Sequence, residues 1–211
     1  MSRTSSSRLP RSFFARDTRQ VARSLLGARL VRLDRGRRLS GIIVEAEAYI
    51  GEEDLGCHAR AGRTARNAVM FGRPGHAYVY FTYGMHWMLN VVTEAAGRPA
   101  AVLVRAIWPL EGIATMQRRR GRQPLADGPG KLCQALGVDA RLNGHDLCAP
   151  EARLFCERGV SITEREIVRG PRVGLNTVPE PWKSIPWRFR VLPEILRERL
   201  SQSRGLDVRS K

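Results

Sequence analysis

The chain has 211 residues, 43% of them hydrophobic, and carries 36 Lys and Arg against 20 Asp and Glu, for a formal net charge of +16. That length suits one domain with a full hydrophobic core and no metal or disulfide staples, and the surplus of cations points to a polyanionic partner whose phosphates it neutralises. No apolar run reaches the roughly 18 residues of a membrane span, and four cysteines without a Cys-x-x-Cys pair indicate neither structural zinc nor an iron–sulfur cluster.

Met1 to Arg11 is rich in Ser and Arg and lacks the apolar stretch of a secretory signal, so it reads as a disordered basic arm on a cytoplasmic protein. Asp17 caps a predicted helix from Thr18 to Leu26, stopped by Gly27. A strand from Ala28 to Leu33 turns through Asp34-Arg35-Gly36 into a second strand, Gly41 to Gly51, which makes a hairpin. Residues 52–66 are polar and Gly-punctuated, a loop able to close over a site, and Thr64 is positioned to cap a short helix through Phe71. Two strands follow, His76 to Thr82 and Trp87 to Thr93, joined at Tyr83-Gly84-Met85-His86, and then a third from Ala101 to Ile107. Helices are predicted at Leu110 to Arg119 and Gly130 to Leu136, a short strand at Trp187 to Val191, and a charged helix at Glu194 to Ser201. The division is an arm over 1–11, one domain over 12–200 and a charged tail over 201–211.

The chemistry gathers in the strands. Successive side chains of a strand point to opposite faces, so Val44, Ala46, Ala48 and Ile50 make core while Ile43, Glu45, Glu47 and Tyr49 share the other face. A carboxylate turned into a folded domain beside an aromatic ring is a candidate catalytic group. In the next strand pair, Tyr78 and Tyr80 share one face, and Asn90 and Arg105 lie within apolar strands, where a polar group needs a partner in the protein or a ligand. The Tyr83-Gly84-Met85 turn puts a ring and a thioether at a sheet tip, which if exposed is a wedge of the kind that enters between base steps.

The segments Val44-Glu-Ala-Glu-Ala-Tyr-Ile-Gly51, Asp54-x-x-x-His58, Arg66-Asn67, Pro74-Gly75-x-x-Tyr-Val-Tyr80, Tyr83-Gly-Met85, Leu103-Val-Arg-Ala106, Gly128-Pro-x-Lys-Leu-Cys-Gln-Ala-Leu136 and Gly170-Pro-Arg-Val-Gly174 together resemble the alkyladenine (3-methyladenine) DNA glycosylase family, the mammalian-type enzymes. The match runs collinearly from about Asp17 to Val191. The resemblance implies an α/β (α+β) fold: a single mixed domain with a curved, mainly antiparallel β-sheet and surrounding helices. It also implies a monofunctional glycosylase that flips alkylated or deaminated purines out of duplex DNA and hydrolyses the N-glycosidic bond, without strand cleavage. By that resemblance Glu47 activates the attacking water and Arg105 helps to hold it. Tyr49, His58 and Tyr80 surround the flipped base, Asn90 screens its edge, and Tyr83, with Met85 beside it, fills the gap in the helix.

Arg63, Lys131 and Arg172 are candidate phosphate contacts. No cofactor or metal is expected, and the partner is duplex DNA with damaged purines, met by a monomer in the cytoplasm or on a nucleoid, not at a membrane. Two other classes stand beside this one. In a non-catalytic lesion-binding module Glu47 only satisfies a neighbour, and in a metallohydrolase Glu45, Glu47 and His58 are ligands.

Overall fold

The computed structural model describes residues 7–208. Its frame is one antiparallel sheet of eight strands: β1 (Arg29–Asp34), β2 (Arg37–Ile50), β3 (Ala77–Thr82), β4 (His86–Val92), β5 (Ala100–Glu111), β6 (Leu154–Glu157), β7 (Ile167–Gly170) and β8 (Arg188–Val191). The order is β3-β4-β5-β2-β1-β6, and β8, itself paired with β7, joins β2. Fourteen-residue β2 is the axle. It pairs with β5 along most of its length, with β1 over its first half, and with β8 at Glu45–Glu47. With different neighbours at its two ends, the sheet curls about this strand.

Alternation divides the molecule in two. Ala46, Ala48 and Ile50 of β2, Ala77 and Val79 of β3, Leu89 and Val91 of β4, and Val102 and Val104 of β5 enter one core. Residues of α2 (Thr18–Leu25) and α4 (Pro129–Leu136) are buried in the same core. Asp17 caps α2 as expected, its carboxylate accepting from the amides of Arg19 and Gln20. The intervening residues of these strands point the other way, into a smaller cluster of Tyr78, Val92 and Ala101 with Cys57, Ala59 and Met70.

Several expectations need correction. Val44 bulges out of β2 and Arg105 out of β5, and the second bulge restores the register that the first disturbs. Ile43, expected beside the acids, is consequently buried in the main core, while Val44 is only half-buried against it. β5 continues through Pro109 to Glu111, so the next helix, α3 (Ile113–Arg120), starts later than Leu110. Thr64 caps no α-helix. Its amide donates to the Asn67 side-chain oxygen, the Asn67 backbone amide donates back to the Thr64 hydroxyl, and a single 3-10 turn follows at Ala68–Phe71.

The near end of the predicted arm is not loose. Leu9 is buried, Arg11 belongs to a short helix, α1 (Arg11–Phe14), and its guanidinium donates to Pro74 and Asp146. Residues 1–6 lie outside the described part. At the other end, α5 (Pro193–Val208) runs well into the predicted tail.

Candidate active site

Register assembles the site. On the face away from the main core, Tyr78 of β3 pairs with Asn90 of β4, Asn90 with Leu103 of β5, Leu103 with Glu47 of β2, and Glu47 with Arg188 of β8. Cross-strand partners stand side by side, so these form one row across five strands. Tyr49 and Tyr80 lie two residues along their strands on the same face. Above them is a hollow of about 310 Å³, the lower end of small-molecule sites. The sheet is its floor, and Gly56, His58, Met70, Val173, Gly174 and Leu175 supply walls from the loops. All four tyrosines of the chain line it.

Its aromatic side is tightly knit. The His58 ring meets Tyr80 edge-on with centroids 4.5 Å apart, and Tyr78 lies 5.3 Å from Tyr80. His58 Nδ1 and the Tyr78 hydroxyl are 2.9 Å apart. Although His58 keeps an outer edge in solvent, enclosure of its ring, aided by the Arg66 and Arg60 charges, lowers its pKa to about 4. The imidazole is neutral near pH 7. Asn90 is buried and donates through Nδ2 to the Tyr78 carbonyl at 3.1 Å, which pins its amide against the floor.

Glu47 has no exposed surface. It sits just behind Tyr49, Arg105 and Val173, which themselves line the hollow. One carboxylate oxygen accepts from the Val173 amide at 2.8 Å, the other from the Tyr49 hydroxyl at 2.9 Å. Arg105 Nε lies 3.3 Å from the first of these oxygens and donates to Glu45 at 2.8 Å. Burial raises the Glu47 pKa; the Arg105 charge and the bonds from Val173 and Tyr49 oppose it, and Glu45 adds to it. Arg105 reaches both acids because it is the extra residue at the β5 bulge. Glu45 and Glu47 thus share a guanidinium, and His58 is turned to Tyr78.

The match to known proteins is extensive. A family model for methylpurine-DNA glycosylase covers residues 12–194. A protein of Carboxydothermus hydrogenoformans is 50% identical over 184 residues, spanning 86% of this chain and 93% of its own. One of Methanocella arvoryzae is 50% identical over 185 residues, 86% of this chain and 90% of that protein. A Myxococcus xanthus protein is 49% identical over 183 residues, 87% of this chain and 89% of its own length. All three are named as 3-methyladenine DNA glycosylases.

The chain belongs to the methylpurine-DNA glycosylase family. It is therefore an N-glycosyl hydrolase of base excision repair with DNA as its substrate, and among its described residues no helix is long and apolar enough to cross a membrane.

In this glycosylase the remaining expected residues separate into a tip, a rim and one misfit. Tyr83 is 79% and Met85 68% exposed, with Phe81 beside them at 43%. Tyr83 has φ +52° and Gly84 +64°, and the Met85 amide donates to the Thr82 carbonyl, the pattern of a type I′ turn. A ring at positive φ is uncommon. Arg63 is exposed, and half-buried Lys131 pairs with Asp127 in the first turn of α4. Arg172 is not a surface cation at all. It is 4% exposed and ion-paired with buried Asp54, so it cannot meet a phosphate.

Tyr78, read from the sequence as sharing a face with Tyr80 but given no role, lines the hollow, as do Met88, Leu103 and Val173. The alternation that pairs Tyr78 with Tyr80 is the signal that finds it. Val173 falls in the Gly170-to-Gly174 segment that carries the resemblance, but nothing local signals its contact with Glu47, 126 residues away in the chain.

Proposed function

We propose that this glycosylase receives an everted, damaged purine in the tyrosine-walled hollow and cleaves its N-glycosidic bond with a water activated by Glu47. The observation that carries the reading is a wholly buried carboxylate set directly behind the wall of an aromatic pocket. Eversion costs a few kcal/mol, less for a damaged or poorly paired base, and stacking against Tyr49, Tyr80 and His58 returns roughly 1–3 kcal/mol per base. An alkylated purine carrying positive charge gains further from the electron-rich rings. Asn90, fixed by its bond to the Tyr78 carbonyl, cannot yield to an added amino group on the base edge.

In the chemical step the C1′–N bond breaks and its electron pair leaves with the base. The water oxygen bonds C1′ as Glu47 takes the water proton, and the carboxylate stabilises the positive charge developing on the sugar. Arg105 orients that carboxylate. Among the described residues no lysine lines the hollow to form a Schiff base, which supports base release with the strand left intact. Tyr83 and Met85 enter the gap left in the duplex, and Arg63 and Lys131 contact its phosphates, with the protein acting as a monomer. The decisive experiment is Glu47→Gln assayed on duplexes each holding one defined lesion. Loss of base release with lesion binding retained supports the reading. Release at the wild-type rate rejects Glu47 as the base.

A further inference from the structure

Arg172 and Asp54 form an ion pair whose side chains have no exposed surface. Arg172 Nη1 donates to one Asp54 oxygen and to the Ala48 carbonyl at 3.1 Å, and Nη2 donates to the other Asp54 oxygen at 2.8 Å and to the Trp182 carbonyl at 3.3 Å. Of the five donors of a guanidinium, only the one on Nε lacks a partner among the described residues. The guanidinium carbon lies 4.7 Å from the Tyr49 ring centroid and 5.2 Å from that of Trp187. Asp54 in turn accepts from the amides of Ile50 and Gly56, which fixes the loop leading to His58. The residue after Arg172 is Val173, whose amide donates to Glu47.

A buried ion pair is a poor device for stability alone, because desolvation offsets its attraction and an apolar pair often serves as well. This one links three parts of the pocket: the ring of Tyr49, the loop that presents His58 and the segment that covers Glu47. We propose that Arg172 is a positioning residue for base release, clamping Asp54 so that the Val173 amide stays on Glu47 and Tyr49 stays in the pocket wall. The inference rests on reading Glu47 as the base. A hydrogen bond to the ionised carboxylate favours that form, so loosening the clamp removes a stabiliser of the working base. The groups facing Glu47 are Tyr49 and Glu45 from β2, Arg105 from β5, Arg188 from β8, Tyr80 from β3 and the Val173 amide. Arg172→Lys keeps the charge and leaves Glu45, Arg105, Arg188 and Tyr80 untouched, but it loses the bidentate fork and the guanidinium packed against the Tyr49 ring.

The test uses Arg172→Lys and the double variant Asp54→Asn with Arg172→Gln, which removes both charges and strands neither. Each is melted to establish folding. The Glu47 carboxyl is then titrated by carbon-13 NMR in the free protein, and single-turnover base release from an alkylated duplex is followed against pH. The expected result is a Glu47 midpoint about one unit higher than in wild type, with the acid limb of the rate moved by the same amount. Coincidence of both midpoints with wild type overturns the proposal and leaves Arg172 as structural support.

Should neither variant fold, hydrogen exchange in the wild-type chain decides. A protected Val173 amide whose shift follows the Glu47 titration supports the clamp, and an amide exchanging like an open loop overturns it. The glycosylase mechanism fails separately, if wild type releases no base from any lesion duplex while the NMR linkage holds.

Discussion

A glutamate with no solvent contact keeps its proton to higher pH than one in an unfolded chain, and at Glu47 burial outweighs Arg105, the Val173 amide and the Tyr49 hydroxyl. Between the ordinary glutamate value and the raised one the folded state binds more protons than the unfolded, so this residue's contribution to stability falls as pH rises through that window. Glu47→Gln is accordingly expected to melt higher than wild type near pH 8, with the gap closing as pH falls below the ordinary range; equal melting at every pH contradicts this. The same shift sets an acid limb for base release above pH 4.5, readable in a single-turnover profile. His58 goes the opposite way. Its ring, lowered to about 4, should show an NMR midpoint near there and leave no inflection near pH 6.5 in the rate. At this scale Glu47 and Tyr49 were legible because a period of two puts them together on one face. Arg172 was misread, since a sequence rich in arginine does not distinguish the one that folds inward against Asp54.

Where elements are concerned, the β3–β4 hairpin concentrates backbone strain in the turn that the proposed function makes a wedge. Tyr83 adopts a left-handed backbone that bulky residues pay for with about 1–3 kcal/mol, while its side chain remains largely in solvent. On the proposed reading its ring, not the fold, accounts for a tyrosine at this turn. Tyr83→Asn, which tolerates that conformation, is expected to leave the melting temperature equal or higher, yet to slow single-turnover release from a fully paired duplex at least tenfold. A lesion already unpaired should be affected less, since it needs no wedge. Unchanged rates on paired duplex would remove the ring from the mechanism. The long strands were readable from alternation, but the bulges at Val44 and Arg105 were not, because an extra residue changes nothing in composition. β6 and β7 escaped for a different reason: Leu-Phe-Cys-Glu and Ile-Val-Arg-Gly place apolar residues side by side, without the polar–apolar alternation that marks the equally short β8.

For the molecule as a whole, charge and architecture have separate duties. The surplus of sixteen positive charges draws the protein to any duplex, and phosphate contacts release counterions with a steep dependence on salt. Even two such contacts predict a loss of about tenfold in undamaged-duplex affinity between 50 and 200 mM salt, measurable by fluorescence anisotropy; a flat response would dissociate the charge from binding. On the proposed reading, discrimination among bases belongs instead to the hollow. A sheet flanked by helices was foreseeable from the order of elements and its curl only through the family resemblance, whereas the cover over Glu47 was not, since the contact between Val173 and Glu47 joins positions far apart in the chain. That sheet also has an evolutionary corollary. Each strand beneath the hollow buries its alternate residues among the helices behind it, so shifting one tyrosine of the floor would drag packed aliphatic neighbours with it. Drift in lesion choice among descendants of this chain should therefore accumulate in the loops carrying Gly56, Val173 and Leu175, and the strand residues should stay fixed.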